Sequence, residues 1–277
     1  MRINVCHETR YRYHAPLSRV IQALHVTPRS HQGQDIVNWR IEVSSDCKLE
    51  SQEDAFGNIM HTFSADGPLS ELSVLVTGEV ETQDTSGVVR GAVERFPPSL
   101  YLRETVLTVP DEAIHNFARA LAAEIGENRL GLLHSLLDTL HAEMAYDNDP
   151  THTGTTAAEA FALKRGVCQD LAHIFIAAGR CLGIPTRYVG GYLRRGDGVT
   201  AQEAGHAWAE AYVPDLGWVG FDPSHGICTT DAFIRVAIGL DYLGAAPVRG
   251  ARFGGAGEEL SVAVHIDQTQ YQTQIQG

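Results

Sequence analysis

The spacing of apolar residues changes once along this 277-residue chain, and that change constrains the fold more than any single motif. Over about the first hundred residues the pattern has a period of two. Ile3, Val5, His7, Thr9, Tyr11 and Tyr13 fall on one face of an alternating run, Ile36 to Val43 alternates again, and Leu72, Val74 and Val76 alternate with Ser73, Leu75 and Thr77. Successive side chains of a strand point to opposite faces, so this period predicts strands. Asp54-Ala55-Phe56-Gly57-Asn58 lies between two runs as a hairpin turn, with the Gly57-Asn58 pair expected to supply positive φ. Short strands separated by turns predict an antiparallel β-sandwich.

Arg95-Phe96-Pro97-Pro98-Ser99 interrupts this pattern, and the period then becomes helical. Pro110-Asp111-Glu112 opens a helix through Ile114, Phe117, Leu121 and Ile125. A second, from about Leu130, carries Leu133, Leu136, Leu137, Leu140 and Met144 as a core stripe. Thr156-Ala157-Ala158-Glu159 is a capping box for a third. The fourth runs from Cys168 to about Leu182, buries Leu171, Ala172, Phe175, Ala178 and Leu182, and stops at Gly183-Ile184-Pro185. Strands follow at 186–193, 206–213 and 218–222, and the glycine-rich tail regains one at 260–266. The expected architecture is α+β, with a β-sandwich domain over 1–105 and an α+β domain over 106–277.

With 34 acidic and 21 basic residues the net charge is −13, which argues against binding nucleic acid through its phosphates. No apolar run approaches the roughly eighteen residues of a membrane span. Met1-Arg2-Ile3-Asn4-Val5-Cys6-His7 alternates like a strand and lacks the apolar core of a signal peptide, so a cytoplasmic location is expected. The five cysteines, at 6, 47, 168, 181 and 228, form no CxxC pair and no zinc-site spacing. Reduced thiols fit the same compartment. No cofactor and no metal are expected.

Chemistry enters with Cys168, which opens the fourth helix, where free N–H groups and the helix dipole favour a thiolate. His206 begins a strand after the glycine-bearing loop 194–205, and Asp222 ends the next strand. A thiol nucleophile needs a base to take its proton and a third group to hold that base, so Cys168, His206 and Asp222 form a candidate triad. His173 competes as base, but it lies on the same helix as Cys168 and points along it. If Pro214-Asp215-Leu216-Gly217 were a four-residue turn, Val213 would oppose Trp218, and His206 and Asp222 would face opposite sides of the sheet. The triad therefore requires a shorter turn or a bulge. Zinc binding by the same residue types is disfavoured because no two stand at short ligand spacing.

Four blocks, Gly166-Val167-Cys168-Gln169-Asp170-Leu171-Ala172, Gly183 to Tyr192, His206-Ala207-Trp208-Ala209-Glu210 and Gly217-Trp218-Val219-Gly220-Phe221-Asp222-Pro223, closely resemble the bacterial transglutaminase-like superfamily in order and wording. The resemblance covers residues 106–235, and Tyr11, Thr27-Pro28-Arg29 and Asp54 to Asn58 resemble the β-rich N-terminal domain of one bacterial branch. It implies a papain-like core with Cys168 as nucleophile, His206 as base and Asp222 as orienter. It also implies an oxyanion hole using the Cys168 N–H, with Tyr146 either a second donor or an aromatic cap on the preceding helix. Gln169 and Asp170 follow the family wording and are expected to shape the helix start. Trp208 and Tyr192 either line the cleft or belong to the core. Nothing resembles the calcium sites of animal transglutaminases.

The expected activity is thiol-dependent acyl transfer on amide or isopeptide bonds of a peptide or protein, by hydrolysis of a thioester. Amine transfer is the alternative acceptor chemistry, and a catalytically idle binding module is the alternative class. Oligomeric state is not legible in the sequence.

Overall fold

In a computed structural model, which describes residues 1–268, the period-two region forms β1 (Arg2–Thr27), β2 (Gln34–Val43), β3 (Glu50–Glu53) and β4 (Ile59–Thr82). β1 and β4 run antiparallel along almost their whole length, from Arg2 opposite Glu81 to Thr27 opposite Ile59. Their register shifts between Arg12 and Leu17 and again between Leu17 and Arg19. The buried set changes phase there, from Ile3, Val5, His7 and Thr9 to Val20, Gln22, Leu24 and Val26. An inserted residue exchanges the faces of a strand and bends it, so the two long strands fold over. Leu72, Val74 and Val76 on one side of the bend then share a core with Leu17, Val20 and Leu24 on the other. The β-rich N-terminal domain is thus a single seven-stranded sheet doubled on itself, its two layers joined through β1 and β4.

The remaining elements are β5 (Val88–Val89), a 3-10 turn at Pro98–Leu102, α1 (Glu112–Ile125), α2 (Arg129–Glu143), β6 (Ala145–Tyr146), α3 (Ala157–Leu163), β7 (Arg165–Gly166), α4 (Cys168–Cys181), β8 (Thr186–Leu193), β9 (Ala201–Gln202), β10 (His206–Val213), β11 (Gly217–Asp222), β12 (Ile227–Cys228), β13 (Phe233–Gly239), α5 (Tyr242–Ala245), β14 (Val248–Gly254) and β15 (Glu258–Gln268). The helices start where the sequence places caps. Asp111 accepts from the Ile114 N–H at 2.9 Å and Asn128 from Gly131 at 3.0 Å, while Thr156 and Glu159 close the capping box reciprocally. Among the described residues no helix is long and apolar enough to cross a membrane.

α4 lies at the centre of the second half, with every residue from Gln169 to Arg180 buried. A helix buried all round encloses its polar residues as well, and those need partners. Arg180 supplies the main example, donating to the carbonyls of Tyr101, Thr186 and Leu240 and to the Thr108 hydroxyl. On one side α4 meets a six-stranded antiparallel sheet ordered β12-β11-β10-β8-β13, with β5 added to β11. Ala207, Ala209 and Ala211 present small side chains to the α4 core, while Trp208 on the opposite face of β10 joins a separate aromatic cluster. Glu210, fully buried on that same strand, is bound by Arg187 at 2.6 Å and Arg235 at 2.7 Å. Arg187 also lies 3.8 Å over the Trp218 ring and bridges to Glu94.

The division expected at residue 105 is crossed in both directions. β5 pairs with Trp218 and Val219, while β14 and β15 return to pair with β1. Side-chain amides reinforce this seam. The Asn58 amide donates to the Ile238 carbonyl and accepts from the Ile238 N–H, both at 2.8 Å. Gln34 makes the same pair of bonds with the backbone of Arg235, at 2.9 and 2.7 Å. Each amide thus stands in for a neighbouring strand along β13, the edge of its sheet. In the turn at 54–58 only Gly57 takes positive φ, at 84°; Asn58 does not, contrary to expectation, because its side chain is committed to β13.

Asn58→Ala leaves both polar groups of Ile238 buried and unpaired, at about 1–3 kcal/mol for each such group. Urea unfolding is expected to show a loss of at least about 2 kcal/mol with an unchanged m value.

Candidate active site

Cys168 owes its position to the turn in front of it. Val167 is extended, and the Asp170 carboxylate accepts the Val167 N–H at 2.8 Å and the Thr151 hydroxyl at 2.7 Å, which fixes Cys168 as the first helical residue. A Cβ on Gly166 would approach Asp170 Oδ2 to 2.6 Å, so that position has room for glycine alone. Burial pushes the Asp170 carboxyl up, against the two donors that favour its charge. Gln169 donates to the Thr153 carbonyl at 3.3 Å and so ties the helix start to the loop before α3.

The β10–β11 hairpin resolves the register question. Val213 pairs with Gly217, so the connection is three residues, with Asp215 at φ 69° and Gly217 at φ 91°. The ladder continues without a bulge to Ala209 opposite Phe221, leaving His206 and Asp222 on one face. Their side chains meet at 2.7 Å, His206 Nε2 to Asp222 Oδ2. Cys168 lies beside the same imidazole, whose Nδ1 is left free of Asp222. Burial disfavours the imidazolium, but the charges of Asp222 and Cys168 and their hydrogen bonds raise its pKa to about 10. Burial likewise opposes charge on Asp222, which the His206 imidazolium and its donors nevertheless hold well below the usual carboxylate range.

Two residues not singled out in the sequence complete the shell of Asp222. Ser224 donates to Oδ1 from its N–H at 3.0 Å and from its hydroxyl at 2.6 Å, and His225 Nδ1 lies 2.9 Å from Oδ2. The legible signal was Asp222-Pro223-Ser224, an Asx-turn sequence in which the carboxylate folds back on the backbone two residues on. His206, Asp222 and His225 offer ligand atoms within 4.8 Å of one another. A metal there would have to displace both imidazole hydrogen bonds to Asp222 Oδ2 and would detach His206 from its orienting carboxylate.

The other candidates separate clearly. His173 is fully buried, its Nε2 accepts the Tyr242 N–H at 3.1 Å, and burial lowers its pKa to about 3, so it anchors α5 and does not meet Cys168. Trp208 does not line the cleft. It is buried beneath His206 on the same face of β10, with ring centroids 6.1 Å apart, and packs on Phe233 in the aromatic core. Tyr192 is also core, hydrogen-bonded to His7 at 2.9 Å. Tyr146 is 58% exposed and faces the cleft, held beside the Cys168 turn by pairing with Gly166. Partial burial and the nearby Cys168 push its phenol up to about 12, so at neutral pH it retains its proton as a donor. The cleft that joins Tyr146, Cys168, Gln169 and His206 encloses about 990 Å³.

The chain is similar to known proteins in sequence and in fold. Residues 119–223 match the model of the transglutaminase-like superfamily, and residues 3–81 match that of the bacterial transglutaminase-like N-terminal region. An uncharacterized protein of Mycobacterium leprae is 30% identical over 96% of this chain and 98% of its own length. A protein-glutamine gamma-glutamyltransferase of Pseudomonas aeruginosa is 30% identical over 50% of this chain, though over only 23% of its own length. A candidate cysteine protease from Cytophaga hutchinsonii superposes with a TM-score of 0.77 over 98% of this chain and 92% of its own, at 19% identity, which speaks for the fold alone. Central helix, antiparallel sheet and β-rich N-terminal region together make this chain a member of the transglutaminase-like superfamily.

Proposed function

We propose that the chain is a cysteine hydrolase acting on amide or isopeptide bonds of peptides or proteins through a thioester. The observation that carries this reading is the His206–Asp222 hydrogen bond, buried and short, with Cys168 at the head of α4 beside the same imidazole. The Cys168 sulfur attacks the carbonyl carbon with its proton passed to His206. The carbonyl oxygen takes the negative charge, stabilised by free first-turn N–H groups and the Tyr146 hydroxyl. Collapse breaks the C–N bond, the amine leaves with the proton from His206, and an acyl thioester remains on Cys168. Water then adds to the thioester as His206 takes its proton, which releases the acid and returns the thiol. Asp222 keeps the imidazole oriented and its charge balanced throughout.

Amine transfer is the second reading, favoured by the similarity to the Pseudomonas glutamyltransferase. In that reading a primary amine replaces water in the last step. A glutaminyl peptide with a labelled primary amine separates the two: acid product supports hydrolysis, and incorporated label supports transfer.

The activated pair has its own test. At about pH 6 an ordinary thiol, with a pKa near 8.5, reacts slowly with iodoacetamide. Peptide mass spectrometry is expected to find Cys168 labelled at least about tenfold faster than Cys6 or Cys47, and His206→Ala is expected to abolish the difference. Labelling of Cys168 no faster than the rest would favour an idle binding module.

A second expectation concerns pH and stability. The folded pKa of His206 is raised from 6.5 to about 10, so the stability it contributes is complete below about pH 6.5 and is lost as pH rises through about 10. Asp222, depressed from 3.8, contributes stability above that value that is lost on acidification. The urea-stability gap between wild type and His206→Gln is expected to narrow between about pH 6 and about pH 10.5, and a gap that stays constant would contradict the charged pair.

A further inference from the structure

The wall facing the nucleophile comes from the other sheet. His7, Thr9 and Tyr11 of β1 and Leu260 and Val262 of β15 line the same cleft as Cys168 and His206. Thr9 pairs with Val262 and Tyr11 with Leu260, so these residues form two adjacent rows on one face. The five lining residues carry no formal charge at neutral pH, and the Glu258 carboxylate is next in the β15 row, opposite Tyr13. Burial lowers the His7 pKa to about 4, and its ring is fixed between the Tyr192 hydroxyl at 2.9 Å and the Thr9 hydroxyl at 3.1 Å. Burial and the neighbouring Glu258 push the Tyr11 phenol up to about 12.

Further along β1 and β15 the same rows pass into core, through Ile3, Val5, Val264 and Ile266. Toward the cleft His7 and Thr9 stay buried, Tyr11 and Val262 are half-buried, and Leu260 is left 57% exposed. An apolar surface open on the wall of a cleft is stabilised when a ligand's apolar group covers it. The position of this wall is also enforced. The loop leading into His206 is stitched to it through Ala201 opposite His265, Gln202 opposite Val264, and the Ile266 N–H donating to the Thr200 carbonyl at 2.9 Å. Gln202 in turn donates to the Leu193 carbonyl at 3.0 Å. The chain segment that presents the imidazole thus cannot move without the β1–β15 face.

We propose that this face of the N-terminal sheet is the acyl-donor subsite, taking a large apolar side chain of the peptide whose carbonyl Cys168 attacks. The occupant follows from the lining: paired rows of aromatic and aliphatic groups beside a neutral imidazole would desolvate a charged side chain without compensating it. Continuity of the cavity puts that side chain on the same substrate as the reacting carbonyl. The proposal rests on the cysteine-hydrolase reading, and it makes the N-terminal region a determinant of specificity.

The test uses triglycyl chloromethyl ketone and three analogues in which one phenylalanine replaces each glycine in turn. Their rates of inactivating the full chain are measured for wild type, Leu260→Ser and Val262→Ser. Each rate is divided by the same protein's iodoacetamide rate at Cys168, which cancels changes in thiol reactivity. Wild type is expected to prefer one phenylalanine analogue over the triglycyl compound by at least about tenfold, the advantage of burying an aromatic ring. Either substitution is expected to reduce that preference to about a third or less. A wild type without any preference, or a preference that both variants retain, overturns the subsite. Iodoacetamide labelling of Cys168 in the wild type no faster than that of the other thiols overturns the cysteine-hydrolase reading instead, and the subsite with it.

Discussion

A carboxylate without solvent exposure governs the geometry of the candidate site. Asp222 is fully buried, and a charge in that position persists only if donors replace its lost water. Four do so: the ring nitrogens of His206 and His225, and the N–H and hydroxyl of Ser224. The same bonds that hold the charge also fix the His206 ring, and through it the face turned to Cys168. Charge stability and the orientation of the imidazole are therefore one arrangement, and disturbing either disturbs both.

Cys168 depends on a similar arrangement at the other pole. Asp170 is spent on the N–H of Val167 and on Thr151, which stops the strand-like approach and starts the helix at the cysteine. α4 then enters a core with no free side, anchored by Arg180 to backbone carbonyls from three different segments. A helix so enclosed cannot slide, which gives the Cys168 sulfur a fixed position relative to β10. The cleft lies between this unit and the doubled sheet, and the amides of Asn58 and Gln34, together with the returning strands β14 and β15, keep the two from separating.

Much of this was written locally. The capping residues Asp111 and Thr156 mark their own helices because their partners lie three residues away. Cys168 at a helix start and His206 and Asp222 at strand ends were legible for the same reason, as was the need for either a bulge or a turn shorter than four residues between them. Asn58 closes the turn at 54–58, but its side-chain pairing with Ile238, 180 residues away, was not legible from its neighbours. Trp208 was left between cleft and core, because alternation gives a side chain's face but not what lies behind that face. His225 was passed over, since nothing in its neighbours reveals that a carboxylate three residues earlier would be buried.

The sequence by itself determined the α+β class, the strand-to-helix change, the order of the helices and the three residue types at the site. These follow from short-range periodicity and capping, which need no knowledge of distant partners. The tertiary structure alone decided that the N-terminal strands double into one sheet, that β14 and β15 complete it, and that its β1–β15 face closes the cleft over Cys168. Those outcomes depend on pairings between residues far apart in the chain, from Arg2 with Glu81 to Tyr11 with Leu260, and register over such distances is set by which faces can be buried together once the whole chain has folded.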